Sequence, residues 1–176
     1  MPEAPRQRTR LGEFQTQLLE RMRLARSDVA PAVRQLGVMT GPLRWLLNLQ
    51  QASEISAPGL LVSVPMTQDW FLGLMNMRGR LISVIDLAGF QGMPLTTIDK
   101  NSRIITLAPG LAAHSGVLVS SVLGLRSSSG MQVDDTHGNG AAAWSGTSYL
   151  DDASLRWTEL DLALITQDPR FMNVGR

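Results

Sequence analysis

The first apolar pattern along the chain has helical spacing. Between residues 11 and 25, apolar side chains recur every three or four positions, which places them on one face of an α-helix. This stripe consists of Leu11, Phe14, Leu18, Leu19, Met22 and Ala25. Pro31 then disfavours continuation of the helix. The pattern predicts an N-terminal helix whose stripe either packs on the rest of the chain or enters a groove of a partner.

From Gly41 onward, the pattern changes to short apolar runs separated by Gly, Pro and Ser. Such runs predict β-strands, and the lack of helical spacing between them favours antiparallel barrels or a sandwich over a βαβ sheet. The predicted strands are 43–49, 60–64, 80–85, 103–107 and 116–123. The polar stretch 126–146 predicts either a long mobile loop or a poorly ordered strand connection, and Asp151-Asp152 predicts a hairpin turn.

A four-residue pattern occurs twice, 75 residues apart. Val84-Ile85-Asp86-Leu87 is echoed by Glu159-Leu160-Asp161-Leu162, and a helix-compatible stretch follows each. An aspartate at such a point accepts hydrogen bonds from the free amides at a helix start. The echo predicts two small lobes, each finished by an Asp-Leu turn. We therefore expect a helical segment over residues 1–36, and one domain of two β lobes with short C-terminal helices over 37–176.

Composition limits the possible chemistry. The chain has 176 residues, of which 44% are hydrophobic and 18% charged, as in folded proteins. It has no cysteine, which excludes disulfides, thiolate nucleophiles and Cys-ligated metals and is compatible with a reducing cytoplasm. No signal-peptide core and no run of about 20 apolar residues is present. We expect a soluble cytoplasmic protein that does not insert into a membrane.

Charge is distributed unevenly although the net charge is only +1. Residues 1–44 carry eight arginines and four acidic residues, a net charge of +4. Residues 134–168 carry seven acidic residues and one arginine, a net charge of −6. Such asymmetry either orients a partner at long range or simply solvates two faces. A single lysine, and aromatic residues that are not interleaved with basic ones, argue against nucleic-acid binding.

Candidate catalytic groups are sparse. His114 and His137 lie in Gly-, Ala-, Ser- or Asp-rich contexts rather than on a predicted helix face. His137 with Asp134 and Asp135 could be drawn as a metal cluster, but an acidic loop is the favoured interpretation. No phosphate-binding glycine loop or dinucleotide fingerprint is present. The sequence predicts no enzyme, no cofactor and no metal site.

The most specific motif is the run from Trp70 to Phe90, W-F-L-G-L-M-N-M-R-G-R-L-I-S-V-I-D-L-A-G-F. It combines an Arg-Gly turn with an apolar strand that stops at Asp-Leu. The run resembles the signature of the CheW-like domain family. The matching positions are Gly73, Leu74, Asn76, Arg78, Gly79, Val84, Asp86 and Leu87.

Other segments carry the same resemblance. Glu54-Ile55 looks like the family's V-x-E-I segment, with Ala52 where valine is usual, and Gly116–Val119 is similar to its G-x-L-V strand. Ser120 stands where the family usually has aspartate, which leaves the role of that position open. The N-terminal helix and the tail W-T-E-L-D-L-A-L-I-T-Q-D-P-R-F are similar to PilI-like adaptors of type IV pilus chemosensory systems.

The resemblance implies a fold and a function. The fold is two SH3-like five-stranded β-barrel lobes that share a core. The function is non-enzymatic signalling, in which the adaptor couples a chemoreceptor to a CheA-type histidine kinase, here in control of type IV pili and twitching motility. The implied partners are the regulatory domain of the kinase and the helical hairpin tip of the receptor. The implied location is cytoplasmic, at receptor arrays on the inner membrane.

By motif position, the resemblance puts the partner-binding surface at Glu54, Asn76, Arg78 and Gly79, with Arg80 sharing the contact. Physically, Gly79 permits a turn with positive φ, Arg78 offers a planar fork of donors, and Asn76 can brace the turn. Glu54 can pair with a partner cation. Ordinary turn chemistry is the alternative for each. The alternative function is a small β-barrel that binds single-stranded nucleic acid or another ligand, which salt-dependent binding to oligonucleotides would reveal.

Overall fold

The protein is described from a computed structural model, which covers residues 34–136 and 142–176. The predicted N-terminal helix and His137 lie outside the described residues. The described chain is mainly β, as predicted. Its strands are β1 Gln35–Thr40, β2 Leu43–Asn48, β3 Ala52–Ser56, β4 Leu61–Val62, β5 Phe71–Met77, β6 Arg80–Asp86, β7 Arg103–Leu107, β8 Ser115–Val119, β9 Ser121–Arg126, β10 Gln132–Val133, β11 Ser145–Leu150 and β12 Arg156–Leu160.

Short helices follow several of the strands. They are α1 Leu87–Phe90, α2 Pro109–Ala112, α3 Leu162–Gln167 and α4 Pro169–Met172, with 3-10 turns at Leu49–Gln51 and Ser128–Gly130. The two helices that end the chain agree with the predicted C-terminal helices. Within the described segments, no helix has the length and apolar character needed to cross a lipid bilayer.

The strands form two six-stranded sheets with the same plan. Sheet 1 has the order β10-β11-β12-β2-β1-β9, and sheet 2 has the order β4-β5-β6-β8-β7-β3. In each, two groups of three antiparallel strands join through one parallel pair, β12 with β2 or β6 with β8. The two lobes predicted from the internal echo therefore correspond to two sheets of matching topology. Closure of each sheet into a five-stranded barrel stays a prediction, as does a domain boundary after residue 36.

The echoed aspartates occupy equivalent places in the two sheets. Asp86 ends β6 and accepts a hydrogen bond from the Ala88 N–H (3.0 Å) at the start of α1. Asp161 follows β12 and accepts one from the Ala163 N–H (2.8 Å) at the start of α3. Both aspartates thus cap helices as the echo predicts, because a carboxylate satisfies amides that have no partner within the helix.

The main core lies between the sheets and is centred on aromatic rings. The Phe90 ring packs against Trp70, Trp144 and Phe171 at centroid distances of 5.0, 5.5 and 6.4 Å. Buried aliphatic side chains from both sheets surround it. A second, smaller core fills the inner face of sheet 2 and consists of Met75, Ile82, Val84, Ile104 and Leu118.

Several predicted boundaries are wrong for local reasons. The strand 43–49 ends at Asn48, whose side chain accepts from the Gln50 N–H and starts a 3-10 turn. Of the strand predicted over 60–64, only two residues form a strand in the structure. The strand predicted over 80–85 extends by one residue to Asp86. The strand 116–123 is two strands separated at Ser120, whose N–H and hydroxyl both donate to the Met39 carbonyl (2.9 Å each).

The predicted loop 126–146 is also wrong in part. It contains the end of β9, a 3-10 turn, β10 and the start of β11. Asp134 anchors this segment, because its carboxylate pairs with Arg156 Nε at 2.6 Å. Strands β1, β3, β5, β10 and β11 were not predicted as strands. The hairpin turn at Asp151-Asp152 is confirmed, since it connects antiparallel β11 and β12.

We expect Asp86→Ala to lower the free energy of unfolding by about 3 kcal/mol, because it leaves buried donors without a partner. The carboxylate is fully buried and accepts from the Ala88 N–H and from both the N–H and the hydroxyl of Thr96. Urea unfolding measures the loss. The control is Asp152→Ala, an exposed turn residue. Equal losses in the two variants would contradict this role of Asp86.

The turn between β11 and β12 should respond to acid. Asp151 accepts hydrogen bonds from the Trp157 indole N–H (2.9 Å) and from the backbone N–H groups of Leu155 and Ala153. These bonds, with Trp157 as the largest contribution, hold the pKa of Asp151 below its ordinary value of 3.8. Because the folded-state pKa is lowered, this stabilisation is complete above pH 3.8 and is lost as the pH falls through the folded-state pKa.

We therefore expect the urea midpoint of the wild type to fall more steeply below pH 4 than that of Asp151→Asn. The comparison isolates Asp151 from other carboxyl groups such as Asp168, whose pKa is also lowered, mainly by its hydrogen bond with Arg170. Parallel pH profiles for wild type and variant would show that Asp151 does not contribute in this way.

Candidate partner-binding corner

The hairpin between β5 and β6 turns through only two residues, Arg78 and Gly79. Their φ angles are +51° and +81°, and positive φ at both central residues defines a type I′ turn, which matches the twist of the flanking strands. A Cβ on Gly79 would meet no atom within 4 Å, so backbone conformation rather than space favours glycine here. The Asn76 side chain accepts from the Gly79 N–H at 2.9 Å, as predicted.

Arg78 forms an ion pair with Glu54. Its Nη2 lies 2.9 Å from Glu54 Oε1, with the two side chains 81% and 28% exposed. The Ser56 hydroxyl also donates to Met77 Sδ at 3.2 Å. Strand β3 and strand β5 are four positions apart in sheet 2, which in a flat sheet is roughly 19 Å. These direct contacts therefore require sheet 2 to curl until its β3 edge returns to the β5–β6 turn.

The curl leaves an open groove of about 410 Å³ at this end of sheet 2. Glu54, Arg78 and Arg80 all line it, with Met77 and Thr106 among the remaining residues. Both arginines are exposed, so the rim is positively charged around one carboxylate. His114 also lines the groove, which the sequence did not predict, and its carbonyl accepts from the Ser83 N–H at 2.8 Å.

An exposed apolar strip near the corner is formed by residues of β4, its preceding residue and β6. Its members are Leu60, Val62 and Leu81, which are 84%, 59% and 59% exposed. Leu81 pairs with Asn76 in the ladder, next to the arginine turn. Sequence reasoning missed this strip because an apolar run was taken to be buried. The available signal was Ser83, a polar residue on the same face as Leu81, since side chains two apart on a strand face the same side.

The five predicted site residues are brought together by one hairpin and one returning strand. Asn76, Arg78, Gly79 and Arg80 form or flank the turn, and Glu54 reaches it from β3. Within residues 34–136 and 142–176, no three His, Asp or Glu side chains are grouped so as to hold a metal ion. The corner offers donors, one carboxylate and apolar area. Such a surface is suited to binding another protein.

A sequence profile of the CheW-like domain matches residues 34–169. The chain belongs to the CheW-like domain family. The profile covers both sheets, and the resemblance deduced from the run 70–90 is therefore confirmed. The corner is formed by the motif that carries this resemblance.

Two curated relatives agree with the family assignment. Protein PilI of Pseudomonas aeruginosa is 24% identical over 102 residues, which cover 58% of this chain and 57% of the relative. Protein FrzA of Myxococcus xanthus is 30% identical over 86 residues, which cover 49% of this chain and 53% of the relative. The matches thus span little more than half the length of either relative.

A solved structure agrees with the fold. The crystal structure of the scaffolding protein CheW from Thermoanaerobacter tengcongensis superposes with a TM-score of 0.61 at 19% sequence identity. The superposition covers 74% of this chain and 89% of the other. At this identity the likeness establishes the fold alone.

We expect the Glu54–Arg78 ion pair to contribute little to stability. A double-mutant cycle with Arg78→Ala, Glu54→Ala and the double variant should give a coupling energy below about 1 kcal/mol, because an exposed pair is well solvated. Urea unfolding at low and high salt measures it. A coupling above about 2 kcal/mol would mean that the pair serves the fold and would weaken its assignment to a binding surface.

Proposed function

We propose that this CheW-like domain is a non-enzymatic adaptor that couples a chemoreceptor to a CheA-type histidine kinase. The family assignment supports a scaffolding role, and the relative PilI supports the branch of chemosensory systems that control type IV pili and twitching motility. The adaptor acts in the cytoplasm, at receptor arrays on the inner membrane. It holds two partners in fixed relation and makes or breaks no covalent bond.

The observation that carries the proposal is the exposed arginine turn beside an exposed apolar strip. Arg78 is held by a two-residue turn and by Glu54, yet most of its side chain is open to solvent. A guanidinium with fixed position loses less conformational freedom on binding than a mobile one. Leu81 and Val62 supply apolar area that a partner can cover. Charged and apolar groups side by side are typical of a specific protein interface.

We assign the two kinds of group to two partners. Arg78, Arg80 and Glu54 line the groove, and their donors and carboxylate suit the polar helical tip of the receptor hairpin. The apolar strip on β4 to β6 suits the regulatory domain of the kinase. Asn76 and Gly79 shape the turn rather than touch the groove. In this proposal each sheet closes into an SH3-like barrel, which keeps the two surfaces at a fixed angle.

The test is a reconstituted array of receptor fragment, kinase and adaptor. We expect Arg78→Ala to reduce receptor-controlled kinase autophosphorylation by about tenfold while the urea midpoint stays within error, since an exposed turn side chain contributes little to stability. The matched control is Lys100→Ala, which removes the same charge from an exposed position in a different loop.

A second variant, Leu81→Asp, addresses the apolar strip. It should abolish co-purification with the kinase while receptor binding persists. If Arg78→Ala couples as well as wild type, the assignment of the corner is wrong. If neither kinase nor receptor binds the wild-type protein, the adaptor function itself is wrong, and retention on single-stranded oligonucleotides at low salt would favour the nucleic-acid alternative.

A further inference from the structure

A second cleft lies in sheet 1, away from the arginine corner. It has a volume of about 270 Å³ and is bordered by β1, β2, β11 and β12. Gln35 and Glu159 provide polar groups, while Leu46, Leu160 and Leu164 provide apolar walls. The proposed adaptor function assigns no role to this cleft.

The two sheets have the same topology, so each polar residue of the cleft can be compared with the equivalent residue of sheet 2. Glu159 stands two residues before its capping aspartate, as Val84 stands before Asp86. Gln35 pairs with Asn48, as Ile104 pairs with Leu118 in sheet 2. Val84, Ile104 and Leu118 are fully buried and form a dry core. The same three positions of sheet 1 hold Glu159, Gln35 and Asn48.

The fold therefore accepts apolar side chains at these positions and does not require polar ones. Burying polar groups destabilises a fold unless they find partners. Of the three polar residues only Gln35 is buried, while Glu159 and Asn48 are half-buried. Sheet 1 therefore leaves polar groups accessible at positions that sheet 2 seals, and a ligand that pairs with the Glu159 carboxylate accounts for this difference.

The hydrogen bonds formed within the cleft do not use all of its acceptor oxygens. Glu159 Oε1 accepts from Gln35 Nε2 and from the Tyr149 hydroxyl, each at 3.2 Å. Gln35 is only 5% exposed, yet its Oε1 has no hydrogen-bond partner among the described residues. Because that oxygen is sealed inside, the acceptor left for a ligand is the second oxygen of the half-buried Glu159 carboxylate, which suits a donor that carries positive charge.

Gly146 keeps the carboxylate accessible. A Cβ at this position would lie 2.9 Å from Glu159 Cβ and 3.0 Å from Glu159 Oε2. The φ angle of Gly146 is not among the positive ones, so the backbone does not demand glycine. The missing side chain instead leaves room beside Oε2.

We propose that this cleft binds the guanidinium group of an arginine side chain from a partner polypeptide. A guanidinium is planar, always charged and donates from a fixed fork, so it can donate to Glu159 Oε2 while Gln35 and Tyr149 hold Oε1 in place. The leucine walls match the aliphatic stem of arginine, which packs well on apolar surface. A metal ion is disfavoured, because the described residues hold no group of three His, Asp or Glu at one place.

Charge around the cleft favours the same ligand. Two carboxylates, Glu159 and Asp161, line the cleft, and none of the described lining residues is basic, so a basic segment is attracted and its rate of association raised. The arginine corner of sheet 2 carries the opposite charge. The two sheets therefore offer surfaces of opposite electrostatic preference, and this second surface is independent of receptor and kinase binding.

The test is a titration of ¹⁵N-labelled full-length protein with N-acetyl-L-arginine amide, monitored by amide chemical shifts. We expect saturable shifts at Gly146, Leu160 and Leu164. The neutral analogue N-acetyl-L-citrulline amide should bind at least tenfold more weakly, since it keeps the shape and loses the charge. N-acetyl-L-lysine amide should also bind more weakly, because a single ammonium does not reproduce the fork.

Three variants keep the test independent of folding. Glu159→Gln should weaken arginine binding at least tenfold, and Gly146→Ala should weaken it by crowding Oε2, while the amide spectrum stays dispersed. Asp152→Asn, a matched charge change at an exposed turn residue that does not line the cleft, should bind as wild type. Equal binding of the citrulline or lysine analogue, undiminished binding by Glu159→Gln, or no saturable shift in the wild type would overturn the proposal. None of these outcomes depends on kinase coupling.

Discussion

Sheet 1 is assembled from the two ends of the described chain, and the rest of the structure depends on that pairing. β1 and β2 come from its start and β9 to β12 from its end, while β3 to β8 form sheet 2 between them. Two contacts join these distant parts, the antiparallel pair β1–β9 and the parallel pair β2–β12. Closing so long a segment has an entropic cost that the interactions gained must exceed.

The shared core supplies that stabilisation. Phe90, at the end of the segment that forms sheet 2, packs on Trp144, which precedes β11 of sheet 1. Gln51 adds polar contacts at the passage from sheet 1 to sheet 2. Its side chain donates to Asp161 Oδ1 at 2.8 Å and accepts from the Leu162 N–H at 2.9 Å. Because the two sheets share one core, the arginine corner of sheet 2 and the cleft of sheet 1 belong to one packed unit.

The two sheets share one strand topology and differ in the side chains at equivalent positions. Inside sheet 2 the equivalent positions are apolar and sealed, and the arginine corner lies at the rim, where Glu54 meets Arg78. Inside sheet 1 the same positions carry Gln35 and Glu159 and border a cleft. Repeating one topology thus allows one copy to serve mainly as a rigid core while the other accepts polar groups. Such departures from a consistent core are typical of functional sites.

Local chemistry in the sequence determined much of the corner. Asn76 and the Arg78-Gly79 pair predicted a turn with positive φ, and the echoed Asp86 and Asp161 predicted two helix caps, because these effects act within a few residues. The family resemblance followed from the same stretch. Elements that rely on distant partners were beyond local patterns. β1 and β3 were missed as strands, and the run 116–123 did not reveal its break at Ser120, which is held by Met39 from a distant strand.

Tertiary structure alone decided which surfaces face solvent and which residues meet. Leu60 and Leu81 look like core residues in the sequence, and only the curl of sheet 2 leaves them outside. The contact of Glu54 with Arg78 joins strands four places apart in a sheet, and that of Gln35 with Glu159 joins the first and the last strands of the described chain. The physical reason is the same in each case. Sequence periodicity records the two faces of a strand, whereas the partner of each face is set by sheet order and curvature.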